Sequence, residues 1–86
     1  MIIKNPIIEI DVHGLTVAAA VKAVQEKVKK AGPEVYTIRV IHGFNGGTRI
    51  RSAIKEEFSF GREPKVKRVK PGENQGISEL VLKELF

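Results

Sequence analysis

Two histidines stand in this chain, and a glycine follows each. The first lies in Asp11-Val12-His13-Gly14. The second opens His42-Gly43-Phe44-Asn45-Gly46-Gly47-Thr48-Arg49. Imidazoles exchange protons near neutral pH, so two of them are a candidate acid and base. Asp11 and His13 are two residues apart and share one side of an extended segment. A carboxylate so placed can fix the tautomer of His13. Gly43, Gly46 and Gly47 permit close backbone approach and positive φ, and successive N–H groups in such a loop can form an anion nest. Phe44 can either pack on the following helix or stack on a base. Arg49 and Arg51 add cations. The chemistry available to this set is phosphodiester cleavage. Asp11 orients His13 as base or acid, and His42 takes the opposite role or holds the phosphate. The amides of Gly43, Gly46 and Gly47, with Arg49 or Arg51, stabilise the developing charge. Asp11, His13 and His42 could also form a two-histidine, one-carboxylate metal site. No other strong ligand lies nearby in the chain, and no cofactor is implied, though a divalent ion is compatible with the chemistry.

Positioning these groups requires the two short stretches to meet. Ile7–Val12 alternates as a strand: Ile8, Ile10 and Val12 on one side, Ile7, Glu9 and Asp11 on the other. Thr16 is a good N-cap, and Val17, Ala20, Val21, Val24, Val28 and Ala31 recur at helical spacing. Gly32-Pro33 predicts a stop with glycine in the left-handed C′ position. Val35–Ile41 is the most apolar strand and is expected to be central. Thr48 is expected to cap a second helix whose inner face is Ile50, Ala53, Ile54 and Phe58. Lys65–Lys70 reads as a strand. Residues 71–76 read as a long turn, and "ISELVLKEL" reads as a last strand, with a helix as the competing reading. A strand, helix and strand in one sheet form a parallel pair with a right-handed crossover. Both histidine loops then leave the same sheet edge, where open α/β sheets bind ligands and helix N-termini present free N–H groups.

The chain has 86 residues and a net charge of +5, from 15 Lys+Arg against 10 Asp+Glu. A single domain spanning 1–86 is the expectation. The basic excess favours anionic partners, and it concentrates in Gly61–Lys70, where Lys65, Lys67, Arg68 and Lys70 could track a nucleic-acid backbone. There is no cysteine, so disulfides and thiolate metal sites are excluded. No secretory signal or membrane-length apolar run is evident, and a cytoplasmic location is expected. The glycine loop has neither G-x-x-x-x-G-K-[ST] nor G-x-G-x-x-G, which excludes a nucleotide P-loop and a dinucleotide fingerprint.

"IDVHGLTVAAAVKAV" resembles the opening motif of the small MutS-related (Smr) domain, L-D-x-H-G-L followed by a helix. "VIHGFNGGTRIRSAI" resembles its second motif, H-G-x-G followed by a helix, and "GENQGISELVL" resembles its closing turn and strand. The similarity spans nearly the whole chain, in order. The departures are Asn45, where the second motif has its second glycine, and a loop one residue longer before Arg51. The resemblance implies an α/β two-layer sandwich of the form β-α-β-α-β-β, with a mixed four-stranded sheet and two helices. It implies nucleic-acid nicking or RNA cleavage, with Asp11 and His13 carrying the first functional motif and His42 and Gly43 the second. The implied partners are RNA or DNA, or the ribosome. The alternative function is a binding module without catalysis. Binding of a small phosphorylated ligand at the glycine loop is a third reading.

Overall fold

The computed structural model describes residues 7–43 and 48–83. Strand β1 (Ile7–Asp11) leads through helix α1 (Val17–Lys30) to β2 (Thr37–Ile41). Helix α2 (Thr48–Ser59) leads to β3 (Arg68–Pro71) and β4 (Ile77–Val81). The sheet order is β1-β2-β4-β3. β1 and β2 are parallel, and β4 runs antiparallel to both of its neighbours. The sheet is therefore mixed and four-stranded, as expected, and β2 is interior.

Both helices cover one face. Even-numbered residues of β1, β2 and β4, and odd-numbered Val69 of β3, point toward them: Val12, Ile38, Val40, Leu80 and Leu82 join Ala20, Val24, Val28, Ile50, Ile54 and Phe58 in one core, with Val69 packed against it. The other face carries a row of alternating charge set by register, Glu9–Arg39–Glu79–Lys70. Arg39 Nη1 donates to Glu9 Oε2 at 3.1 Å, and Glu73 and Glu79 lie 3.4 and 3.6 Å from the same guanidinium. The hydrogen bond to Glu9, then the charges of Glu73 and Glu79, raise the pKa of Arg39 further. Arg39 is thus occupied by carboxylates. Among the described residues no helix is long and apolar enough to cross a membrane.

Local details differ from expectation in instructive ways. Thr16 caps α1, its Oγ1 accepting from Ala19 N–H at 3.1 Å. The C-terminus does not use Gly32: the cap is Ala31, extended at φ −66° and ψ 127°, and Gly32 is not among the positive-φ glycines. Lys65 takes over the orphan carbonyls. Its Nζ donates to Val28 O at 2.8 Å and Ala31 O at 3.1 Å, with Lys29 O at 3.4 Å. An ammonium at the negative end of the helix macrodipole is favourable. Thr48 is the first helical residue of α2 rather than its cap. β2 begins at Thr37, two residues late, because Val35 N–H closes a turn onto Gly32 O at 3.1 Å. β3 begins only at Arg68, although Lys67 N–H already donates to Val81 O at 2.8 Å. Pro71 is tolerated because β3 is an edge strand. "ISELV" is a strand, the first of the two readings.

Lys65→Met retains the aliphatic stem and deletes the ammonium cap. We expect a loss of about 1–2 kcal/mol of unfolding free energy in urea titration. A change of only a few tenths would show that the carbonyls do not depend on Lys65.

Candidate functional site

The parallel β1–β2 pair continues one step past Asp11, with Val12 N–H donating to Ile41 O at 2.9 Å. The chain then turns sharply. Leu15 N–H closes onto Val12 O at 3.2 Å, and Gly14 makes the bend at φ +80°. His13 stands on the outer corner of this turn. Asp11 Oδ1 accepts both the His13 backbone N–H at 3.1 Å and His13 Nδ1 at 2.5 Å. A carboxylate only accepts, so Nδ1 carries the proton. Nε2 is then the acceptor that faces outward. Both side chains are more than half exposed. The hydrogen bonds from His13, side chain first and backbone second, hold the Asp11 carboxyl below its ordinary value. The Asp11 carboxylate therefore stays ionised and holds His13 through the neutral range, and this hold is lost only as acid protonates Asp11.

The second loop meets the first, as the crossover argument required. A Cβ built at Gly43 would lie 3.4 Å from His13 Cβ, and Gly43 itself has φ +87°. Its amide is not free to hold an anion, because Gly43 N–H donates to Gly76 O at 3.0 Å. The His42 backbone N–H shares that acceptor at 2.9 Å.

His42, offered by the sequence as the opposite acid or base or as a phosphate holder, is buried. It follows Ile38 and Val40 on the helix-facing side and is 1% exposed. Its Nδ1 lies 3.0 Å from Gly43 O, and Nε2 lies 2.9 Å from Ser78 Oγ. A carbonyl can only accept, so Nδ1 donates to Gly43, and Nε2 accepts from the Ser78 hydroxyl. His42 is a clamp between the end of β2, Gly43 and the start of β4. With both nitrogens committed, it does not fit the two-histidine metal set, and the described residues hold no cluster of three or more His, Asp or Glu that could bind an ion. Ser78 escaped the sequence reading. The signal for it was parity: a hydroxyl on the same side as Leu80 and Leu82 needs a buried partner.

The remaining predicted residues divide. Phe44, Gly46 and Gly47, with Asn45, lie outside the described residues. Arg49 and Arg51 are exposed in the first turn of α2, which holds no acidic residue. Neither has an ion-pair partner among the described residues. Cations at a helix N-terminus oppose the macrodipole by about 0.3–1 kcal/mol each, so this turn gives up stability in a way that a bound anion would relieve. The basic run does not gather at the dyad. Lys65 and Lys67 precede β3 at the opposite sheet edge, Lys65 capping α1. Arg68 is exposed on β3, and Lys70 Nζ lies 3.7 Å from Glu79.

Among solved structures, the chain is similar to the Smr domain of Thermus thermophilus MutS2, with a TM-score of 0.75 and 28% identity over 90% of this chain and 99% of that one. No protein-family model and no curated protein matches it.

His13→Ala removes both the largest cause and the minor charge contribution that depress Asp11. We expect its titration midpoint, followed by carboxyl ¹³C NMR, to rise toward the ordinary aspartate value of about 3.9. A midpoint that stays put would show that the dyad does not exist in solution.

Proposed function

Starting from the fact that the chain is an Smr-like domain, we propose that it is a nucleic-acid endonuclease whose general base is His13. The observation that carries this reading is the exposed Asp11–His13 dyad at the carboxyl edge, packed against Gly43 and sharing that edge with the uncompensated cations of α2. Asp11 is a positioning residue that presents Nε2 of His13 to the nucleophile. In RNA that nucleophile is the ribose 2′-OH; in DNA it is a water. His13 takes its proton as the O–P bond forms, and the leaving oxygen departs with a proton from solvent or from a group supplied by the substrate complex. Arg49, in the first turn of α2, faces the charge that grows on the phosphoryl oxygens. His42 acts through Gly43: its hydrogen bond to the Gly43 carbonyl fixes the loop that abuts His13. The exposed Leu15 and Val17, just after the dyad, offer apolar contact to a base.

One observation favours a second reading. Burial of His42 leaves one exposed imidazole in the chain rather than two, and a module that only binds nucleic acid, free or within a ribosome, needs neither. The two readings part on turnover. Labelled single-stranded RNA and DNA are incubated with the chain, with and without chelator. Under the endonuclease reading, product forms, and His13→Ala lowers the rate by about 10²–10⁴-fold without weakening binding. Binding without product establishes the module reading, and equal product from His13→Ala removes His13 from the mechanism.

A further inference from the structure

The dyad is not the only feature at the carboxyl edge. β4 is antiparallel to β2, and β3 to β4, so the start of β4 and the end of β3 return to the edge that carries His13. Two clefts open there and share Arg51, Pro71 and Ser78. One, of about 290 Å³, runs under residues 72–75 and reaches Ile77. The other, of about 330 Å³, descends between α2 and β3 and is lined by Arg51, Ser52, Lys55, Val69 and Lys70 as well. Together they form one trough. It begins at the sheet edge, three interstrand steps of about 4.8 Å from β1, or about 14 Å from the dyad's strand.

The charge in this trough is unbalanced. Lys55 lies one turn after Arg51, an i,i+4 like-charge pair, which is unfavourable in an isolated helix. Neither has an ion-pair partner among the described residues. The Lys70 ammonium turns to Glu79 on the other face, so only its stem lines the wall. Glu73 is the one acid at the trough, and it is engaged by Arg39. Arg51 and Lys55, with the Ser52 hydroxyl between them, therefore face an open cleft whose floor is Val69 and Pro71. This pairs two cations and a hydrogen-bond donor with an apolar wall, which suits phosphate and sugar and reads no base edge.

We infer that the trough between α2 and β3 is a second phosphate-binding site, holding the backbone of a single strand that flanks the phosphate at His13. The inference rests on the nucleic-acid reading above and adds to it a track, a direction along the sheet edge and two residues, Ser52 and Lys55. A strand that starts at His13 crosses the ends of β2 and β4 and enters the trough at Arg51.

Binding of fluorescein-labelled single-stranded RNA and DNA by the His13→Ala chain is measured by anisotropy across a salt series. His13→Ala leaves the strand intact during the measurement. Adding Lys55→Gln is expected to weaken binding uniformly across sequences and to lower the slope of log K against log salt by about one. Lys55→Glu weakens it further. Lys30→Gln, the same change of charge at the last turn of α1, leaves binding as it was. In amide NMR, the same strand shifts Ser52, Lys55 and Val69. Lys55→Gln and Lys55→Glu chains that bind with the parent slope would overturn the second site alone, and equal losses from Lys30→Gln would reduce it to bulk charge. No binding by the parent chain would overturn the nucleic-acid reading and this inference with it.

Discussion

The parallel pairing of β1 with β2 decides where every functional group lies. The two strands run in register from Ile7 beside Thr37 to Asp11 beside Ile41. Their ends are neighbours because interstrand hydrogen bonds leave only about 4.8 Å between them. Asp11 and His13 leave one strand and His42 and Gly43 leave the other, so residues about thirty apart in sequence come into contact. The inserted β4 extends the effect. Gly76, at its start, accepts the N–H groups of both His42 and Gly43, which ties a third strand end to the same edge. Helix α2 leaves this edge too, with its positive end and two arginines facing outward.

His42 ties the ends of β2 and β4 together at this edge. A buried imidazole is tolerable only when both nitrogens are satisfied, and here one bonds the Gly43 carbonyl and the other the Ser78 hydroxyl. The ring therefore has one tautomer and one orientation, and through Gly43 it fixes the surface against which His13 stands. The exposed dyad is held from the other side by Asp11. The site is built from one imidazole inside the core and one outside it, with different duties. The α2 turn shows the opposite economy: its cations lack local acids and face open space, which is a stability sacrifice of the kind that functional sites carry.

Much of this was legible in the sequence. The alternation in Ile7–Val12, the helical spacing from Val17 to Val28 and the chirality of crossover connections together predicted the meeting of the two histidine loops. What failed did so for identifiable reasons. His42 was read for its chemistry and not for its parity, yet it shares the side of Ile38 and Val40, while Asp11 shares the side of Glu9. Gly32 carried the local signal of a helix stop, but a lysine thirty-three residues later supplied the cap, and such long-range hydrogen bonds leave no local trace. The cluster from Lys65 to Lys70 looked like one basic surface because a strand of positive residues reads as a line. In three dimensions that line runs from one sheet edge to the other, and its members serve different ends, Lys65 a helix terminus and Lys70 an ion pair. The trough could not be read at all, since its walls come from α2 and β3, which only the insertion of β4 between β2 and β3 sets side by side.

The central claim is that His13, positioned by Asp11, meets the scissile phosphate at the carboxyl edge. The most direct measurement is a structure of the chain with a single-stranded RNA whose 2′-hydroxyls are replaced by methoxy groups, which blocks attack without removing the phosphates. The account predicts the 2′-methoxy group beside one phosphate packed against the Nε2 edge of the His13 ring, with the phosphoryl oxygens toward the first turn of α2. A strand bound elsewhere on the chain, with Nε2 of His13 left facing solvent, would contradict it.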